Sequence, residues 1–214
     1  MILDELSDAA RAKGLFVMGV CRPDTSEHGA SIALLGADAE FWQVFEQAPE
    51  YTKGVADPLD TWSKRVIGGL ADRFDALGTS FPSDGPPYLP FIAWALATKQ
   101  FFQSPTGMMI HNRAGLMISI RGAVHFATDI GAPPAVTNPC LSCEEQPCTK
   151  SCPVGALSSD APYDVSACKA FLATPAGTDC MEQGCKARRA CPVSARFDRA
   201  PQQSAFHMAA FTGG

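Results

Sequence analysis

Apolar positions recur along this chain with two periods, and the switches between them mark out the elements. Leu3, Leu6, Ala9 and Ala10 fall on one side of a short helix that Gly14 ends. "LFVMGVC" (15–21) and "SIALLGA" (31–37) are unbroken apolar runs of strand length, separated by the turn-forming "RPDTSEHG". Residues 38–48 read as a short helix carrying Phe41, Trp42 and Phe45. The clearest helix starts at Asp57, with Asp as cap and Pro58 in the first helical position. Leu59, Trp62, Val66, Leu70, Phe74 and Leu77 then follow at spacings of three and four, up to Gly78.

Four prolines and a glycine in "FPSDGPPYLPF" (81–91) forbid regular structure there, and "FIAWALA" after it reads as a buried helix. "TGMMIH" (106–111) and "GLMISIRGAVHF" (115–126) look like two strands joined by the turn "NRAG". The fold class expected is therefore α+β: a mixed sheet with packed helices over residues 1–130, followed by a small cysteine-rich module over 131–214. The abrupt "GAPPAVTNP" (131–139) marks the boundary.

Composition narrows the function classes. Hydrophobic residues make up 46% of the 214, enough for a real core. The N-terminus has no cationic start followed by an apolar core, so no secretory signal is expected. No apolar run reaches the roughly 18–20 residues that span a bilayer, which excludes a membrane partner and makes the cytoplasm the expected location. The net charge is −5, and the acidic excess lies wholly in residues 1–139, where 15 acidic residues face 10 basic ones; residues 140–214 hold 7 of each. A nucleic-acid binder needs a basic surface, and the only local candidate is Lys186, Arg188 and Arg189, so nucleic acid is not an expected partner. No glycine-rich loop follows a strand and opens a helix, which removes nucleotide binding of the Rossmann or P-loop kind.

Eight of the nine cysteines lie between 140 and 191. The first run is C-x2-C-x4-C-x3-C-P (Cys140, Cys143, Cys148, Cys152) and the second is C-x11-C-x4-C-x5-C-P (Cys168, Cys180, Cys185, Cys191). In a reducing compartment such density points to metal or redox chemistry rather than disulfides. Thiolates are soft anionic donors suited to iron, and bacterial two-cluster ferredoxins end their cysteine run with Cys-Pro, the last cysteine crossing to the other cluster. Two 4Fe-4S clusters are the expected cofactors. On the crossover rule Cys140, Cys143, Cys148 and Cys191 bind one cluster, and Cys152, Cys168, Cys180 and Cys185 the other. Two all-cysteine zinc sites use the same count, although only Cys140 and Cys143 form the C-x2-C knuckle zinc favours. Cys21 closes an apolar strand and reads as a small buried hydrophobe.

The run ending "CPVGAL", the Tyr-Asp pair in "YDVSACKAFL" and the closing Cys-Pro resemble the dicluster ferredoxin module of epoxyqueuosine reductase and its reductive-dehalogenase relatives. Upstream, "LSDAARAKGLFVMGVC" and "SPTGMMIHNRAGLMISIRGAV" are similar to parts of the nitroreductase-like domain that precedes it there. The resemblance implies a nitroreductase-like first domain, a ferredoxin-like second one, and cobalamin as a further cofactor fed by the clusters. The "EEQP" insertion departs from the usual C-x2-C-x2-C spacing. The helical-repeat region with which those enzymes hold tRNA has no counterpart after "SAFHMAAFTGG", so no tRNA substrate is expected.

Outside the cysteines, His111, Arg113 and Arg121 surround the expected hairpin, where charged donors can hold a cofactor phosphate or carboxamide. Asp84 and Tyr88 sit on the proline-stiffened loop as an acid and a phenol. These five are the candidate cofactor-binding residues, with solvated turns and loop packing as the plainer readings. His207 in the tail is either a cap over a cluster or a surface residue. Three functions stay open: an electron carrier serving a redox partner protein, a cobalamin-dependent oxidoreductase acting on a small molecule, and a zinc-stabilised interaction module.

Overall fold

The element order in the computed structural model, which describes residues 2–213, is α1 (Ile2–Arg11), β1 (Leu15–Cys21), β2 (Ser31–Ala37), α2 (Phe41–Phe45), α3 (Pro49–Thr52), α4 (Pro58–Arg73), β3 (Gly78–Ser80), α5 (Phe91–Ala97), β4 (Phe101–Gln103), β5 (Met109–His111), β6 (Ile120–Phe126), α6 (Val165–Leu172), α7 (Thr178–Gln183), α8 (Lys186–Ala190), α9 (Pro192–Phe197) and α10 (Pro201–Thr212). The protein is α+β. It divides into two compact units: Met1–Phe101 with Ser119–Val136, and Phe102–Ile118 with Thr137–Gly214. Residues 102–118 thus group with the cysteine-rich segment.

Unit 1 is built on a four-stranded sheet in the order β1-β2-β6-β3. Every pairing in it is antiparallel, so the expectation of a mixed sheet is corrected. The short 22–30 connection returns β2 beside β1 in the opposite sense, and parallel neighbours would need a longer crossover. All seven residues of β2 are buried, which explains why its sequence is continuously apolar rather than alternating. Register shifts at Val17/Gly19 on β1 and Leu35/Gly36 on β2 bring Met18 over Gly36. A Cβ on Gly36 would stand 2.1 Å from the Met18 sulfur, so no side chain fits there.

α1 packs on β1, and α4 covers β6 and β3. Leu59, Trp62, Val66 and Leu70 of α4 are buried as their spacing requires. The helix ends at Arg73 rather than running to Gly78, because Asp75 turns left-handed at φ 48, and Leu77 is left exposed. Asp57 holds the cap position, but its own φ of 45 keeps its side chain from capping. The single helix expected over 38–48 becomes α2, then α3 with Pro49 at its start, since proline cannot donate to a continuing ladder. Phe41, Phe45 and Trp62 form the aromatic centre of the unit, with Trp62 edge-on to Phe41 at 5.1 Å.

The expected 106–126 hairpin does not form. β5 pairs with β4 in a separate two-stranded sheet, while β6 lies between β2 and β3. The cause is local. The His111 imidazole Nδ1 accepts the backbone N–H of Arg113 and of Ala114, both at 3.1 Å, and a single His111–Gly115 bridge closes the turn before a second strand can pair.

Unit 2 consists otherwise of the short helices α6 to α10 and single 3-10 turns at Pro139–Ser142, Pro147–Thr149 and Pro175–Gly177. Asp164 caps α6, its carboxylate accepting from the Ala167 N–H at 2.8 Å.

Candidate metal centre

All nine cysteines are free thiols. Four of them, Cys140, Cys143, Cys148 and Cys191, line one cavity of about 180 Å³ in unit 2, together with Ile110, Leu116 and Val193. Three come from the first run and Cys191 from the far end of the second.

Each is placed by its local sequence. Cys140 lies in the 3-10 turn Pro139–Ser142, where the Asn138 side chain accepts its N–H at 2.9 Å. Cys148 lies in the turn Pro147–Thr149, entered through Gln146 at φ 40. Cys191 is the extended residue before α9, and Pro192 starts that helix in the position where a missing N–H costs nothing. The 111–117 loop then docks on α9: Leu116 N–H donates to Ser194 Oγ at 2.8 Å. Gly115, at φ 59, comes so close that a Cβ would meet the Ser194 nitrogen at 2.4 Å. This contact sets Leu116 and Ile110 against Cys148 and Cys191 in one apolar cluster, with Cys140 packed beside it.

The electrostatics follow from that enclosure. Burial, then the neighbouring Cys148, Cys191 and Cys143, push the Cys140 thiol up to about 11. Cys148 is raised by burial and by Cys191 and Cys143. Without a cation these groups resist ionising together, and a metal centre among them reverses that preference.

A second cavity of about 280 Å³ is lined by Cys168, Cys185, Tyr163, Arg188, Arg199, Ser204 and His207, among others. Cys168 sits on α6, and Cys185 precedes α8. Cys180, buried on α7, is raised by burial and senses Cys185, while the Tyr163 phenol is raised by burial and by Cys168 and Cys185. Neither Cys152 nor Cys180 lines this cavity. Among the described residues, no group of three or more His, Cys, Asp or Glu side chains is set to hold a metal ion.

The other candidate residues are dispersed. None of His111, Arg113, Arg121, Asp84 and Tyr88 lines either cysteine cavity or the groove between α1 and α4 in unit 1. His111 is buried and serves its turn, and Arg113 lies 5.9 Å from the Phe197 ring centre. Arg121 reaches Asp60 at 3.6 Å, and burial lowers its guanidinium. Asp84 pairs with Lys64 at 2.8 Å, and Tyr88 is 71% exposed. Of the basic trio, Lys186 and Arg189 both engage Asp179, while Arg188 Nη1 donates to the Leu116 carbonyl at 2.6 Å. Arg199, Ser194 and Gly115 have no signature in the sequence; Asp164 before an apolar helix was the one such signal open to reading.

No protein-family model matches the chain, and neither a curated protein nor a solved structure gives a match. Among the described residues no helix is long and apolar enough to cross a membrane.

Proposed function

We propose that this protein transfers electrons through two 4Fe-4S clusters held by the eight cysteines of residues 140–191. One observation carries the reading: Cys140, Cys143, Cys148 and Cys191 line a single cavity although the sequence separates the last from the other three. The donor set fits such a cluster. It is all sulfur, it is walled by Ile110, Leu116 and Val193, and its Cys140 and Cys148 thiols are held from ionising by burial and by neighbouring cysteines, a state that a cationic iron-sulfur core relieves. A single zinc ion wants four sulfurs about 2.3 Å from one point. The cavity of about 180 Å³ that the four thiols line leaves room for a centre larger than one ion.

When bound, the clusters supply one-electron transfer at low potential. The chain's own residues supply the thiolates, the apolar wall that keeps water off them, and a surface approach. Leu141, between two of the ligands, is 79% exposed and offers a redox partner protein a short path. The proposal extends to the fold: unit 2 as a ferredoxin-like module and unit 1 as a nitroreductase-like domain, as in the epoxyqueuosine reductase family that the cysteine run resembles. Nine free thiols suit the reducing cytoplasm.

The test is anaerobic purification with iron, acid-labile sulfide and zinc measured on one sample, repeated after incubation with hydroxocobalamin and gel filtration. About eight irons and eight sulfides per chain are expected. Two zincs without sulfide overturn the proposal in favour of a zinc-stabilised module, and retained cobalt converts the carrier into a corrinoid enzyme. Cys152→Ala and Cys191→Ala should each lower iron by about half, through different clusters. Loss of the same cluster in both variants rejects the crossover assignment.

A further inference from the structure

Besides the four cysteines, the polar residues that line the first cavity are Ser104, Ser142, Gln146 and Arg196. Ser142 and Arg196 are exposed and Gln146 is half-buried, whereas Ser104 is 5% exposed. Ser104 stands in the turn between β4 and β5, where its N–H donates to the Met108 carbonyl at 2.8 Å and its carbonyl accepts the Gly107 N–H at 2.9 Å. The backbone of Ser104 is thereby satisfied, and its hydroxyl is the polar group still to be matched. Ser104 Oγ and Thr106 Oγ1, on residues that are both 5% exposed, share one hydrogen bond at 3.1 Å. Two hydroxyls bring two protons, and one bond uses one of them. Among the described residues neither hydroxyl has a second partner, whether a carbonyl or a cysteine sulfur. A buried donor without an acceptor costs its full desolvation, so such groups are matched almost everywhere. Ser104 lines the cavity and Thr106 does not. The arrangement that uses both protons therefore has Thr106 donating to Ser104, and Ser104 donating into the cavity.

We infer that the Ser104 hydroxyl, backed by Thr106, donates a hydrogen bond to a sulfur of the centre held by Cys140, Cys143, Cys148 and Cys191, and so makes that centre easier to reduce. The inference rests on the cluster reading above. When the centre accepts one electron from a reductant its sulfurs become more negative; no bond breaks, and Ser104 keeps its proton while donating it to a stronger acceptor. A hydrogen bond strengthens with the charge on its acceptor, so the reduced form gains more from Ser104 than the oxidised form does. Thr106, donating to Ser104, polarises the same hydroxyl and adds to the effect.

The experiment is an anaerobic titration of the full-length, cluster-loaded protein with dithionite through mediator dyes, read by EPR, with iron and sulfide counted on each sample. The midpoint to follow is the one that Cys140→Ala abolishes. Ser104→Ala should keep its iron and sulfide and lower that midpoint by the equivalent of about tenfold in the reduction equilibrium, or about 59 mV for one electron. Ser104→Thr, which keeps the hydroxyl, should restore it, and Thr106→Val should lower it by less. A role confined to folding would change loading and leave the midpoint in place. If Ser104→Ala fails to load, Thr106→Val decides. An unmoved midpoint in loaded Ser104→Ala, or in Thr106→Val where that variant decides, overturns the inference while leaving the clusters established. A wild-type chain that takes up no iron and sulfide, or a Cys140→Ala variant that keeps every midpoint, overturns the cluster reading of this cavity, and this inference with it.

Discussion

Unit 1 and unit 2 reach an ordered state by different means. In unit 1 a sheet with a fully buried second strand, capped by α1 and α4, places Leu15, Ile32, Leu34, Leu35, Phe41, Phe45, Trp62 and Ile67 in one interior. At roughly 1.5–3 kcal/mol for each fully buried large apolar side chain, that interior can offset the ordering of its own backbone. Unit 2 has helices of 5 to 12 residues, lengths that are marginal alone in water, and three of its buried side chains are Cys148, Cys180 and Cys191. Where unit 1 spends its interior on hydrocarbon, unit 2 spends part of it on donors. The lesson is that the first unit carries its own apolar interior, while the second, on the cluster reading proposed above, would be completed by what its thiols hold.

The largest expected effect tests that difference directly. Stripping iron from the full-length protein with a chelator under reducing conditions should melt unit 2: helical circular dichroism falls, and limited proteolysis cuts within residues 137–214. Unit 1 should keep its urea midpoint. Trp42, Trp62 and Trp94 all belong to unit 1, so tryptophan fluorescence follows that unit alone. If residues 137–214 stay protected without iron, or if the tryptophan transition is lost with it, the contrast between the units fails.

Sequence made the two units unequally legible, for the same physical reason. β1, β2 and α5 appear at the residues the apolar runs mark, because a buried strand or helix bounded by Gly and Pro declares itself locally. Strand pairing does not. β6 was expected to fold back on β5, and only the His111 turn and the burial of β6 between β2 and β3 decide otherwise. In unit 2 the cysteine spacing and the two Cys-Pro ends put Cys191 with Cys140, Cys143 and Cys148, and these four line one cavity. The same rule put Cys152 with Cys168, Cys180 and Cys185, and of these only Cys168 and Cys185 line the second cavity. The clamp of Gly115 on Ser194 and the charge of Arg199 were invisible, since both depend on residues some eighty positions apart in the chain.

The next effect sharpens the hydrocarbon side. Trp62→Ala removes the ring that Phe41 and Phe45 pack against edge-on, at 5.1 and 6.0 Å. It should cost unit 1 about 3–5 kcal/mol. Trp42 and Trp94 remain as probes of the transition, and iron content should be unchanged. A variant that loses its iron along with its urea midpoint would show that the two units do not stand apart energetically.

The smallest effect concerns His125, a buried basic group of unit 1 whose protonated form burial disfavours. His125 on β6 is 5% exposed, its Nε2 lies 2.7 Å from Ser80 Oγ, and His28 stacks on its ring at a centroid distance of 4.9 Å, with Trp94 edge-on at 5.8 Å. Burial first, and then the charge of His28, lower its pKa from 6.5 to about 4. The folded state therefore refuses a proton that the unfolded chain accepts between those two values. By linkage the contribution of His125 to stability is fully present above pH 6.5, is lost as pH falls toward 4, and changes no further below. Allowing for partial solvent access, the loss is about 2 kcal/mol. Urea midpoints followed by tryptophan fluorescence should fall across that window in wild type and flatten in His125→Gln, whose amide can still meet Ser80. Because carboxylates titrate in the lower part of the window, the difference between the two proteins is the quantity to read. Equal slopes would mean that His125 is solvated enough to ionise in place, and that unit 1 tolerates charge in an interior otherwise built of hydrocarbon.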